Sequence, residues 1–347
     1  MANIMITEVC NLQCPYCFAN EMVNEKEYIN KHGNHGNITT ENFKRAVDFI
    51  ATNPGERVGI IGGEPTVSPD FDNLMKILIE DNRINTVTVF TNGVELKKHI
   101  PVLMHPKVGM LINCNSPSDI GENKFKQMVE GLDILINEYY LKDKIALGIN
   151  MYKPDFEYEY LLELLVKYDM HHVRTSIAVP NTGDKKTIEP QTYFQQMKYS
   201  VFGFFDTLRR NNILPTFDCN LMPKCIMLPE EYNWLQSFSS LEQSANGVRN
   251  NLADGCFCSP VIDILPDLTA VRCFGMSREE KVPINRFNNI NDLRNYFINS
   301  YDSYAFGISS YSLCKGCRER ESMKCTGGCL AFKADRINAA REYVQNL

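Results

Sequence analysis

The 347-residue sequence has no uninterrupted apolar run of the ~18 residues that a membrane-crossing helix needs, so no span is expected. Its start, MANIMITEVC, lacks the length and the charged-then-apolar order of a secretory signal. The expected location is therefore cytoplasmic. Positive charge is not in surplus: 36 Lys and Arg face 42 Asp and Glu, which excludes a nucleic-acid backbone as the main partner. No solenoid-type repeat is present. What is abundant is cysteine, thirteen in all. An odd number in a long chain without an export signal argues against a disulfide framework. Twelve fall into groups: Cys10, Cys14 and Cys17; Cys219 and Cys225; Cys256, Cys258 and Cys273; Cys314, Cys317, Cys325 and Cys329. Cys114 stands alone and reads as a small buried side chain at a strand end.

Over the first ~180 residues short β-rich runs alternate with amphipathic stretches. The expected strands are 3–9, 56–62, 84–91, 107–114, 144–151 and 172–179. Between them TTENFKRAVDFIATN opens on a capping Thr, and SPDFDNLMKILIED on Ser-Pro-Asp. ENKFKQMVEGLDILINEYY and EYEYLLELLVKYD carry apolar residues at helical spacing. Such a strand–helix rhythm implies parallel strands joined by crossover helices. The expected fold is α/β: a partial (β/α)6 barrel over residues 1–210, with its site at the C-terminal ends of the strands. A small cysteine-rich domain with a C-terminal helix is expected over 211–347. NTGDKKTIEP reads as a loop or linker. INKHGNHGN, with His32 and His35, reads as a solvated loop rather than a metal site.

CNLQCPYC places Cys10, Cys14 and Cys17 at CxxxCxxC spacing directly after the first strand. A 4Fe–4S cluster normally takes four thiolates. Three close cysteines with no fourth nearby leave one iron open to a small molecule. Zinc prefers four ligands in paired groups and fits this spacing poorly. These residues resemble the defining motif of the radical S-adenosylmethionine (SAM) enzymes. GGEPT, Gly62 to Thr66, supports the resemblance: the similar turn of that family holds the amino group of the methionine moiety. Glycines allow close backbone approach, and carbonyls together with Glu64 can accept from an ammonium.

The resemblance carries further site residues. Gly62, Gly63, Glu64, Pro65 and Thr66 form the turn. Strand ends add Thr91 and Asn92, Asn113 and Ser116, and Asn150. Lys124 or Lys126 is expected to reach the methionine carboxylate, and Tyr16 lies where the family contacts adenine. The implied chemistry is one-electron reduction of the sulfonium, giving methionine and a 5′-deoxyadenosyl radical that takes hydrogen from the substrate. A flavodoxin- or ferredoxin-type donor is the expected electron source.

CKGCRERESMKCTGGC, with the upstream Cys256, Cys258 and Cys273, resembles the SPASM and twitch extensions of that family, which hold two or one auxiliary 4Fe–4S clusters. Cys256, Cys258, Cys273, Cys314, Cys317, Cys325 and Cys329 are thus expected metal ligands. The pattern departs from SPASM in three respects: the gap after CxxC is seven residues where five is usual, Leu268 stands where a Gly is usual, and no cysteine follows Cys329, so the outer cluster of Cys314, Cys317 and Cys325 lacks its last ligand. Cys219 and Cys225 are open to three readings: filling a vacancy, acting on substrate, or plain burial. The family implies substrates that are mostly peptides or proteins, modified by crosslinking, thioether formation, epimerisation or oxidation. Peptide modification is the expected function and a small-molecule dehydrogenase the alternative. An electron carrier is the non-enzymatic rival. Because Cys10 comes so early, a peptide substrate would call for a separate leader-recognition protein.

Overall fold

The computed structural model describes residues 2–17, 36–52, 55–178, 189–217, 222–246, 260–276, 280–305 and 307–346. His32, His35, Cys219, Cys256 and Cys258 lie outside the described residues. The chain divides into two compact units, Met1–Gly148 with Pro260–Asn295, and Ile149–Ser259 with Tyr296–Leu347.

The first unit is built on β1 (Ala2–Thr7), β2 (Glu56–Gly62), β3 (Ile84–Thr91), β4 (Val108–Asn113) and the first half of β5 (Ile145–Met151). These strands lie side by side in chain order and are all parallel. Every residue of β1 is buried, as a strand covered on both faces must be. The crossovers run through α1 (Thr40–Ile50), α2 (Phe71–Glu80) and α3 (Glu122–Asp133). α1 starts where the Thr39 side chain accepts from the Asn42 amide, and it buries Phe43, Ala46, Val47 and Ile50. The strand and helix positions read from sequence hold to within a residue or two at most ends.

A later segment completes this unit. β8 (Ile262–Ile264) pairs parallel with β1, and β9 (Thr269–Val271) and β10 (Val282–Pro283) follow antiparallel. Strands of two or three residues are too short to show alternation, so the sequence reading saw only irregular chain here. Buried Asp263 accepts from Asn3 Nδ2 at 2.6 Å and fixes β8 on β1. Burial pushes this carboxyl up to about 7. Because 260–295 returns to β1, the division by compactness does not follow the expected break at residue 210.

The second unit takes up the end of β5 and adds α4 (Glu159–Lys167), β6 (His172–Ile177), α5 (Pro190–Arg210) and β7 (Leu214–Phe217). β6 and β7 are parallel, in register from His172↔Leu214 to Thr175↔Phe217. α5 buries Phe194, Met197, Val201, Phe204, Phe205 and Leu208. α6 (Pro229–Asn246) was not expected, because few of its positions repeat at helical spacing. It is anchored by buried Leu235 and Phe238, with Trp234 edge-on to Phe238. α7 (Ile290–Phe297) carries the chain back across the division, and α8 (Ala334–Gln345) ends it. Among the described residues no helix is long and apolar enough to cross a membrane.

Candidate active site

β1 stops at Thr7, whose hydroxyl accepts from the Val9 amide at 3.1 Å and turns the chain outward. Cys10, Cys14 and Cys17 follow on this loop, all half-buried. The Leu12 amide lies 3.4 Å from Cys10 Sγ, and the Cys17 amide closes a turn on the Cys14 carbonyl at 3.0 Å. Burial first, then the neighbouring charges of Glu64 and Cys17, push the Cys10 thiol up to about 11. Burial, then Cys17 and Cys10, push Cys14 up to about 12. The three sulfurs thus lie within electrostatic reach of one another. Among the described residues no three His, Cys, Asp or Glu side chains converge on a point that one ion could occupy. An iron–sulfur cluster takes each thiolate on a different iron.

The Gly62–Thr66 turn is bonded to the same strand exit. The Gly63 amide donates to Thr7 O and the Glu64 amide to Val9 O, both at 2.8 Å. A Cβ on Gly63 would lie 2.5 Å from Val9 O and 2.7 Å from Glu8 O, and one on Gly62 would lie 2.7 Å from Thr7 O. What these glycines approach is the chain's own backbone, two residues before Cys10. Glu64 is buried, and its carboxylate collects internal donors. Oε1 accepts from the Thr66 amide at 3.1 Å and from the Thr66 and Thr91 hydroxyls at 2.6 Å each. Oε2 accepts from the Asn92 amide at 2.6 Å. Burial raises the Glu64 pKa while these four bonds pull it down. Glu64 therefore ties the end of β2 to the end of β3. Pro65 opens the short turn that follows, and Thr66 O is held by His99 Nε2 at 2.9 Å, with Asp72 on His99 Nδ1 at 2.7 Å.

Other expected residues separate into groups. Asn92 Nδ2 donates to Asn11 Oδ1 at 2.8 Å, joining β3 to the cysteine loop. Lys124 Nζ donates to Asn11 O at 2.5 Å, and its charge favours the Cys10 thiolate. Tyr16 donates to Asn115 Oδ1, just beyond β4. Ser116 caps a short helix through the Asp119 amide at 3.2 Å and meets Ser118 Oγ at 2.8 Å. Asn113 Oδ1 and Asn11 Nδ2 are buried and bond to nothing among the described residues. One acceptor and one donor on this rim are thus left for a bound molecule. Lys126 is not brought to the rim: it is exposed and faces Glu130 at 4.0 Å. Asn150 belongs to the second unit, where its Oδ1 accepts from Arg174 at 2.7 Å. Asn11, Asn115 and His99 were missed. Asn11 lies inside the cysteine motif but has no residue type that marks a ligand, and the other two act through tertiary contacts that sequence spacing does not show.

Of the later cysteines, Cys273 lies in the first unit, just past β9. Cys225, Cys314, Cys317, Cys325 and Cys329 lie in the second. Cys225 sits in a turn at Lys224–Ile226. Cys314 is buried, while Cys317, Cys325 and Cys329 are half-buried. Cys114 is buried beside β4.

Residues 4–165 match the Radical SAM superfamily model. Among curated proteins, the GTP 3′,8-cyclase of Actinobacillus succinogenes is 27% identical over 149 residues, 41% of this chain and 43% of that protein. The GTP 3′,8-cyclase of Photorhabdus laumondii is 26% identical over the same shares. The chain thus spans less than half the length of the curated relatives it matches. Among solved structures, Streptococcus suis SuiB bound to S-adenosylmethionine aligns with 95% of this chain and 72% of its own, at TM-score 0.59 and 16% identity. Native anSMEcpe with bound AdoMet and Cp18Cys peptide aligns over 99% of both chains, at TM-score 0.58 and 16% identity. At such identities these structures establish the fold, a partial barrel of parallel strands, and not the substrate. The expectation of peptide or protein modification is corrected by the curated relatives, which are named for a reaction on a nucleotide, a small molecule. Three cysteines and a GGE turn on one strand exit lie within residues 4–165, the part of this chain that matches the Radical SAM superfamily, whose chemistry requires a 4Fe–4S cluster and SAM.

Proposed function

We propose that Cys10, Cys14 and Cys17 hold the SAM-binding 4Fe–4S cluster and that the enzyme acts on a small molecule. The carrying observation is the shared strand exit: the Gly63 and Glu64 amides donate to Thr7 O and Val9 O, and the cysteine loop begins at the next residue, Cys10. When bound, the cluster and SAM supply reductive cleavage of the sulfonium and hydrogen abstraction from substrate.

The chain's own groups bind and orient. The cysteine thiols must give up their protons to bind iron, and Lys124 offsets part of the resulting charge. Glu64 Oε1 already accepts three bonds. The methionine ammonium therefore falls to the carbonyls of the Gly62–Thr66 turn and to Glu64 Oε2, which accepts one. Asn113 Oδ1 offers an acceptor and Asn11 Nδ2 a donor to the rest of the ligand. Tyr16, with its hydroxyl engaged by Asn115, is the proposed adenine contact. Thr91, Asn92 and Ser116 shape this rim from behind.

The small-molecule reading is supported by the names of the curated relatives. Cys256, Cys258, Cys273, Cys314, Cys317, Cys325 and Cys329 are proposed as the thiol pool of a SPASM- or twitch-like auxiliary module. A flavodoxin- or ferredoxin-type protein is the proposed electron source, and the cytoplasm, where thiols stay reduced, the proposed compartment.

The test is anaerobic. Reconstituted, reduced protein is mixed with SAM, and 5′-deoxyadenosine and methionine are measured. Their formation is expected. A panel of nucleotides and other small metabolites should raise 5′-deoxyadenosine above the uncoupled level. No cleavage, with iron and sulfide fully loaded, would overturn the reading.

A further inference from the structure

The second unit holds Cys314, Cys317 and Cys325 on one stretch of chain, and Cys225 on a turn 89 to 100 residues upstream of them. Cys314 and Cys317 share a turn, with the Cys317 amide on Cys314 O at 3.3 Å. The chain then folds back over Glu319, whose carbonyl accepts from the Lys324 amide at 2.8 Å and the Cys325 amide at 3.1 Å. That return places Cys325 beside the same turn. The Gly327 amide lies 3.3 Å from Cys325 Sγ, and a Cβ on Gly327 would lie 3.5 Å from Cys314 Sγ. Cys225 arrives from another part of the chain. Its neighbour Lys224 grips Glu319 Oε1 at 2.7 Å, a contact 95 residues apart in sequence. An exposed pair of this kind adds little stability. Its meaning is positional, since it holds the Cys225 turn on the fold between Cys317 and Cys325.

Two cations face the group. The same point on Gly327 that meets Cys314 lies 3.7 Å from Arg320 Nε and 3.7 Å from Lys333 Nζ. Lys333 is buried, with its ammonium on the carbonyls of Ala305 at 2.7 Å, Ile308 at 2.9 Å and Thr326. A cluster with four thiolate ligands is an anion, and a buried anion needs countercharge.

We infer that Cys225 is the fourth thiolate of an auxiliary 4Fe–4S cluster whose other ligands are Cys314, Cys317 and Cys325. The fourth ligand thus comes from upstream of the Cys314 turn. This inference stands on the second unit and does not need the reading of the first.

The experiment uses the full chain carrying Cys10→Ala, Cys14→Ala and Cys17→Ala, so that the radical cluster contributes nothing. After anaerobic reconstitution this protein should hold at least about four irons with matching sulfide. Alkylation mapped by mass spectrometry should find Cys225 protected together with Cys314, Cys317 and Cys325. All four should become reactive once the cluster is stripped. Cys317→Ala in this background should abolish one electron paramagnetic resonance signal of the reduced protein, and Cys225→Ser should shift that same signal. Cys225→Ser keeps a small polar side chain on an exposed turn, so its fold is checked by an unchanged melting temperature. The inference is overturned if Cys225 alkylates equally fast with and without cluster. An unshifted signal in Cys225→Ser, or zinc in place of iron, overturns it as well. Loss of SAM cleavage in the protein with all its cysteines, with Cys225 still protected, would count against the proposed function alone.

Discussion

The two cysteine sites differ in how they are assembled. The first is contiguous: Cys10, Cys14 and Cys17 lie on one loop, and the fold needs only to aim it. The second is composite, with Cys225 delivered by a turn that Lys224 holds to Glu319, 95 residues away. A contiguous site announces itself through spacing. A composite site is silent until the chain is folded, because no spacing rule links its parts. The contrast also predicts different failures. Damage to the contiguous site should stay local, while the composite site should fail when a distant turn is displaced.

The largest effect tests that separation. Cys10→Ala, Cys14→Ala or Cys17→Ala should each reduce 5′-deoxyadenosine formation to background and remove about four irons, leaving the iron of the second unit in place. Iron counting beside product analysis checks it. Normal cleavage in any one variant would break the comparison at its root.

Gly63→Ala comes next, and it asks how contiguous the first site is. The loop carries its own ligands, yet its direction is set by the Gly63 and Glu64 amides on Thr7 and Val9. A methyl group there would press on backbone carbonyls that have no rotamer to change. Overpacking of this sort costs roughly 1–3 kcal/mol. We expect a lower melting temperature and a fall in iron bound by the first unit. Unchanged values of both would show that the turn and the loop are independent.

The same contrast explains what could be read in advance. The β1–β6 rhythm was legible because parallel strands and amphipathic helices repeat over many residues, each long enough to show its period. β8, β9 and β10 were not, since three residues carry no alternation and their partner β1 lies at the other end of the chain. The GGE turn was legible as a motif, but its internal work was not. Spacing cannot tell that Glu64 is occupied by Thr66, Thr91 and Asn92. Of the two lysines at 124 and 126, sequence could not choose, because both lie in the first turns of one helix. The substrate was the weakest reading, since it rested on what the family usually does and not on any residue of this chain.

Asn113→Ala should give a smaller and cleaner effect. Its Oδ1 is buried and has no bond within the described protein, so its loss removes nothing from the fold's own network. If SAM supplies the missing donor, affinity should fall about five- to tenfold, the equivalent of ~1 kcal/mol for one hydrogen bond. The melting temperature without ligand should stay level or rise, because an orphaned polar atom is gone. Titration calorimetry on reconstituted protein measures the first and thermal denaturation the second. A large loss of stability with unchanged affinity would mean that Asn113 serves the fold and that the rim is complete without a ligand.

The smallest effect distinguishes two lysines one helical step apart. Lys124 donates to Asn11 O, on the loop between Cys10 and Cys14, and its charge favours the Cys10 thiolate. Lys126 points its charge toward Glu130 at 4.0 Å from an exposed position, where solvent screens an ion pair. Lys124→Met keeps the length of the side chain and removes the ammonium. It should weaken SAM binding severalfold, with iron still loaded, because both the loop's backbone anchor and a local positive charge are lost. Lys126→Met should leave affinity and iron content unchanged. The comparison is internal, since both residues lie in α3 and both variants make the same chemical change. Equal effects would mean that only net charge matters. A larger effect at Lys126 would place the ligand's carboxylate on the opposite side of α3 and require the rim to be redrawn.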